Sequence, residues 1–245
     1  MAATKDSDRR HLSWWQETIL LLVIAIGLSL IIKTFFVQAF YIPSESMEPG
    51  LVNNDRILVE KPSYWFGGTP QRGDVVVFED PGDWLPAWEK TGPTGAVSKT
   101  LAKVGLYPTG GHLVKRVIGV AGDTIVCCDD QGRISVNGQP LDEDSYVKDP
   151  DTQTCRGPEG PGDCSWTAGP VPAGHVFLMG DNRANSADSS YHLCGSDAGP
   201  SCDPNDAYVD EKLVVGKVFS VIWPRDHWDW LSRPKTFADV PDPKD

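Results

Sequence analysis

The sequence predicts a mostly β protein, a β-sheet domain with a peripheral lobe, preceded by one N-terminal transmembrane helix. Twenty-four Gly and twenty Pro among 245 residues set turns at short intervals, which favours short strands over long helices. β-Branched runs bounded by Gly and Pro recur beyond residue 36. One apolar stretch, residues 14–32, is long enough to cross a bilayer. A hydrophobic share of 40% suffices for a core and excludes global disorder. Lys+Arg 22 against Asp+Glu 34 gives 22 − 34 = −12, and with no basic stripe to offset it this excludes nucleic-acid binding.

The apolar stretch starts at Trp14 and Trp15, which suit one membrane interface, and closes at Lys33, which can snorkel to the other. About twenty residues at about 1.5 Å each span about 30 Å, the hydrocarbon thickness. Lys5, Arg9 and Arg10 precede it, so the positive-inside rule puts the N-terminus in the cytoplasm and everything after Phe35 outside. A cleavable secretory signal ending near Val37-Gln38-Ala39 is the rival reading. The uninterrupted core from Thr18 to Ile32 and the Phe35-Phe36 pair favour an uncleaved, single-pass anchor.

Strands follow in order. Residues 35–42 are apolar, 43–49 have turn chemistry, and 56–60 and 74–78 are β-branched. Residues 79–111 read as an inserted surface loop, with one or two helical turns at 98–104. Residues 113–120 form an apolar strand broken by Lys115-Arg116, and 124–128 with 133–136 form a hairpin. The acidic 140–170 stretch reads as a peripheral lobe outside the core; 176–179 and 213–222 are the last clear strands. The expected organisation is a cytoplasmic tail (1–13), a transmembrane helix (14–34), an outer β domain (35–139 and 171–224), the lobe (140–170), and a C-terminal surface tail (225–245) with loose final residues.

The six cysteines, at 127, 128, 155, 164, 194 and 202, form no C-x-x-C pair, so a metal site is a weak reading. Cys155/Cys164 and Cys194/Cys202 each bracket a short Gly/Pro/Asp-rich loop, which suits disulfides outside the cytoplasm. Adjacent Cys127 and Cys128 are not expected to bond to each other.

No histidine (11, 112, 175, 192, 227) sits in a triad motif, and a structural role is the better reading for His175. Lys115 stands out. If it points into an apolar cleft, desolvation leaves some neutral amine, which can deprotonate a Ser hydroxyl. The plain alternative is a Lys-Arg pair on the solvent face of an edge strand.

Ile42-Pro43-Ser44-Glu45-Ser46-Met47-Glu48-Pro49, directly after an anchor, resembles the nucleophile motif of bacterial type I signal peptidases, peptidase family S26. The residues 72–78 (RGDVVVF), 115–123 (KRVIGVAGD) and 180–189 (GDNRANSADS) resemble the family's other boxes, in family order. The resemblance implies a signal-peptidase-type β fold and a membrane-anchored serine endopeptidase. Such an enzyme removes signal peptides from exported preproteins after small residues at −1 and −3 (A-x-A), through an acyl-enzyme. It implies Ser46 as nucleophile, Lys115 as general base, and the Ser46 N–H with the Ser44 hydroxyl as oxyanion hole. Ser186 would hydrogen-bond the Lys115 ammonium, while Asp181, Asn182, Arg183 and Asp188 shape the turn that carries it. Phe40, Ile42, Met47, Leu51, Leu113 and Val114 would line the substrate pockets, with the substrate added as a strand along residues 112–115. No metal or cofactor is implied. The partners are preprotein signal peptides, the lipid bilayer and, by proximity, the secretion translocon. Phe35, Phe36 and Phe40 either embed the catalytic face in lipid or only finish the helix.

Gly50, Ala121 and Ser190 depart from the family pattern, the last removing an arginine that would pair with Asp188; the Cys194–Cys202 loop is expected to brace that turn instead. The competing functions are a cytoplasmic Ser-Lys autoprotease of the repressor type, disfavoured by the anchor and the acidic charge, a secreted protein without its first 39 residues, and a membrane-tethered, disulfide-stapled β binding module without catalysis.

Overall fold

The computed structural model describes residues 13–82, 84–86, 95, 111–148, 165–194 and 202–243. The expected helical turns at 98–104 and the Cys155/Cys164 pair lie outside the described residues. The helix α1 (Trp14–Ile31) starts where the Ser13 carbonyl accepts from Gln16 and Glu17, and the Gln16 side chain accepts from the Ser13 N–H at 3.1 Å. Eighteen apolar-rich residues, none buried, give a helix long and apolar enough to cross a membrane. A single π-helical turn, Ile32–Phe36, then hands the chain to the sheet.

The strands are β1 (Val37–Tyr41), β2 (Arg56–Glu60), β3 (Val75–Glu79), β4 (His112–Gly119), β5 (Ile125–Cys127), β6 (Ser135–Val136), β7 (Gln139–Pro140), β8 (Trp166–Ala168), β9 (His175–Met179), β10 (Val209–Asp210), β11 (Val214–Trp223) and β12 (Asp229–Trp230). Among the described residues they form two antiparallel sheets, one ordered β1-β2-β11-β3-β4-β9-β10 with β12 on β11, the other β7-β6-β5-β8. Alternation on the central strands explains the core. Val75 and Val77 face Ile42, Met47, Leu51, Ile57 and Val218, whereas Val76 and Phe78 face Leu113, Val117, Val176 and Leu178. Ile118, Phe177 and Met179 carry the large sheet onto the small one, against Ile125, Val136 and Trp166.

Four expectations are corrected. The described parts of 140–170 are not peripheral: Leu141, Tyr146, Val147, Trp166 and Ala168 are buried in the core shared with Phe177, because few but correctly spaced apolar residues outweigh the acidic composition around them. The C-terminal tail is strapped down rather than loose. Phe237 and Val240 are buried, Arg233 donates to Asp74 Oδ1 at 2.5 Å, and the Pro241 carbonyl accepts from Asn137 at 2.9 Å. Trp84, in the supposed surface loop, is buried and donates to the Asp206 carbonyl at 3.3 Å. Cys127 and Cys128 are joined as a disulfide, their Cα atoms 3.0 Å apart across a cis peptide. Cys194 and Cys202 are bonded, as their spacing suggested.

The strap also explains one glycine. Gly73 has φ +85°, and a Cβ there would stand 2.8 Å from the Phe237 ring. Phe237→Ala is expected to lower stability by about 3 kcal/mol through the cavity it leaves, read from the denaturant midpoint. An unchanged midpoint would mean that the tail is not part of the folded unit.

Candidate active site

Ser46 rides on the loop between β1 and β2. The loop is closed at its base by Ile42 N–H to the Asp55 carbonyl and Asn54 N–H to the Ile42 carbonyl, both at 2.9 Å. The Leu51 N–H donates to the Met47 carbonyl at 2.9 Å, and both side chains are buried, so the apolar residues flanking the serine pin the turn to the core. Lys115 lies on β4 and pairs with Val76 of β3, while pairing with β9 starts one residue later, at Arg116; the solvent-face alternative fails because the Lys115 side chain is buried. It is 4% exposed, and its Nζ stands 2.6 Å from Ser46 Oγ. Burial lowers the Lys115 pKa to about 8, with Asp188 and then Asp181 opposing the shift. An amine with that pKa is substantially neutral in mildly alkaline water and can accept the serine proton.

The surroundings keep both groups in place. The Asn182 N–H donates to the Ser46 carbonyl at 3.0 Å and its side-chain amide to the Glu45 carbonyl at 3.0 Å, gripping the Ser46 turn twice. Arg116 holds Asp181 with two hydrogen bonds, 2.8 and 2.6 Å, and Arg183 is paired in the same way with Glu143. Asp188 is buried and accepts from Gly180 N–H at 2.8 Å, Ser186 Oγ at 2.6 Å, and Ser190 N–H and Oγ at 3.0 and 2.8 Å. Four neutral donors solvate this carboxylate without cancelling its charge, and Ser190 itself occupies the place of the absent arginine. The expected bond from Ser186 to Lys115 is not made; its hydroxyl donates instead to Asp188, two residues along the same turn. Ser44 Oγ lies 3.4 Å from Ser46 Oγ, and the Ser46 N–H has no backbone acceptor among the described residues.

Ile42, Met47 and Leu51 pack together with Phe40 and Val114 beside them. Leu113 does not join them: strand alternation turns it to the other face of β4, against Val76 and Phe78. His192 stacks on Trp84 at 4.6 Å and 8° with its Nε2 buried and unpartnered among the described residues, and His175 Nδ1 faces the Ala173 carbonyl at 3.0 Å; neither imidazole hydrogen-bonds Ser46, whose hydroxyl meets Lys115 and Ser44. Gly50 is not required by its turn, since a Cβ there would meet nothing nearer than 3.9 Å.

A family model described as signal peptidase, peptidase S26, matches residues 15–223. The chain belongs to that family. It is 39% identical to a probable signal peptidase I of Mycobacterium leprae over 93% of this chain and 82% of the relative. It is 38% identical to a signal peptidase I of Mycobacterium tuberculosis over 93% and 79%. A signal peptidase I of Leptolyngbya laminosa matches at 34% over 86% and 83%. A solved signal peptidase I from Enterococcus faecalis aligns over 60% of this chain and 95% of its own at 21% identity, with a TM-score of 0.32, too loosely to place any residue.

This signal peptidase is therefore a serine endopeptidase, a hydrolase. The residues that sequence reading missed around its site are Glu143, Tyr146 and Lys148, for which composition gave no signal, and Ser190, which registered only as a departure. The buried amine makes a kinetic prediction. With Lys115 as the proposed base, the free amine would be the reactive form, so kcat/KM should rise with pH and level off above about 8. Asp188→Asn removes the carboxylate that most favours the Lys115 ammonium and should move that limb to lower pH. A limb that stays in place in the variant would show that Asp188 does not act on Lys115.

Proposed function

We propose that this signal peptidase cleaves signal peptides with a Ser46–Lys115 dyad after small residues at −1 and −3. The observation that carries the reading is the dry Lys115 amine 2.6 Å from the Ser46 hydroxyl. Neutral Nζ takes the proton as Ser46 Oγ attacks the scissile carbonyl. The oxyanion is received by the Ser46 N–H and the Ser44 hydroxyl; one such donor is commonly worth about a hundredfold or more in rate. The ammonium formed, facing Asp188 and Asp181, returns its proton to the leaving amine as the C–N bond breaks. Nζ then deprotonates water, which hydrolyses the acyl ester and frees Ser46. Each step balances with water as the only co-reactant, so no cofactor is needed.

The substrate strand fits the edge of β4. Pairing with β9 begins at Arg116, so residues 113–115 have no second ladder on that side among the described residues. Phe40 and Val114, partly buried against the core residues Ile42, Met47 and Leu51, would line the shallow apolar pockets that reject large side chains by clash, with Leu113 contributing backbone.

The apolar helix fits a membrane-anchored protein. We take its N-terminus as cytoplasmic and the catalytic domain as extracytoplasmic, near the translocon that delivers preproteins. The exposed Phe35 and Phe36 follow the spanning helix, and Phe36 meets Trp65 edge-on at 5.3 Å, so a cluster of rings stands where the lipid surface would lie. Purified with lipid, the enzyme is expected to cut an Ala-x-Ala preprotein after the second Ala. Ser46→Ala and Lys115→Met should each lose about a thousandfold or more in kcat/KM. An intact preprotein with folded wild type would instead favour the tethered binding module.

A further inference from the structure

The stretch immediately before residue 149 reaches three separate parts of the site. Lys148 Nζ lies 2.7 Å from Glu48 Oε2, two residues beyond the nucleophile, and the Lys148 N–H donates to the Asp181 carbonyl at 2.9 Å. Val147 forms an antiparallel bridge to Pro49. Tyr146 lies under the Arg116 guanidinium, 4.5 Å from its ring centre, and donates to Glu143 at 2.7 Å. Glu143 in turn holds Arg183, whose Nε donates to the Gly180 carbonyl at 3.0 Å. One short segment is thus tied to the Ser46 turn, to the residue after Lys115, and to the 180–186 turn that grips Ser46.

We propose that residues 143–148 are a strut for the catalytic pair, with Lys148 and Glu143 as positioning residues that hold the Ser46 turn against the strand bearing Lys115. The proposal rests on the dyad reading above. The physical case is one of tolerance: the proton passes over 2.6 Å, and a displacement of about 1 Å at such a contact costs about a hundredfold in rate. The Asn182 bonds restrain the turn only on the side of Glu45 and Ser46, whereas its exit at Glu48 and Pro49 is held by Lys148 and Val147. Because the Glu48–Lys148 pair is partly exposed, its value lies in placement more than in Coulomb energy.

The test compares wild type, Lys148→Met, Glu48→Gln, and the charge-exchanged double variant Glu48→Lys/Lys148→Glu, using an Ala-x-Ala peptide with lipid. Each single variant is expected to lose about ten- to a hundredfold in kcat with KM within about twofold, and the exchanged pair to recover most of that loss. In the single variants Lys115 should titrate at higher pH, because a loosened turn admits water to its amine; NMR of the Lys115 ammonium reads this without any turnover. The charged groups acting on that amine, Asp188 and Asp181, are untouched. Unchanged kcat and unchanged Lys115 titration would overturn the strut. So would a loss of kcat that merely tracks the melting temperature and is not recovered by charge exchange. A dyad that fails would show separately, as full activity in Ser46→Ala.

Discussion

An amine loses its hold on a proton in neutral water only if something penalises its charged form, and for Lys115 that something is burial. Lys115 is held on β4 beside β3, one residue before pairing with β9 begins, and its side chain is buried, so the charged form is penalised. The rest of the site follows from that requirement. The serine must come to the lysine, so its loop is anchored by Met47 and Leu51 in the core, and the neighbouring turn grips it through Asn182.

Burial is not the whole of the lysine's environment, because nearby carboxylates favour its ammonium form. The structure places two carboxylates, Asp188 and Asp181, where they act on Lys115, and treats them differently. Asp181 is neutralised by the two-bond grip of Arg116, so its influence is muted. Asp188 is held by neutral N–H and hydroxyl donors, with no cation among its described hydrogen-bond partners. A carboxylate buried without donors would cost several kcal/mol, and one paired to an arginine would do little for the lysine. Ser190 is compatible with neither failure: it supplies two donors and no charge.

The same economy explains the second charged pair. Arg183 and Glu143 are buried together with Tyr146, and losing either partner would strand the other, at a cost of about 3–5 kcal/mol. A buried pair of this kind adds little net stability, but it fixes geometry, and here it joins the 180–186 turn to a segment that also reaches Glu48 and Pro49. The apolar helix α1 lies at the other end of this arrangement. A single π turn joins it to β1, and the nucleophile loop begins one residue after β1 ends, so little slack separates helix and site.

Much of this was legible in the sequence, because the information was local. The apolar run that becomes α1 needs only length and composition; β2, β3 and β4 show in β-branched runs between turn residues; and Ser46 and Lys115 stand in boxes whose order along the chain identifies the family. What sequence could not decide depends on meetings between distant residues. Leu113 and Val114 are equally apolar, yet pleating sends them to opposite cores. Ser186 bonds Asp188 rather than Lys115, Glu143 finds Arg183 forty residues away, and Phe237 returns to cover Gly73. The composition of residues 140–170 argued for a surface lobe because composition averages over a stretch, whereas burial is settled residue by residue by what packs against it. The residues for the chemistry are thus written along the chain, but their distances, partners and dryness come from the tertiary fold, since hydrogen bonding and desolvation depend on separation in space.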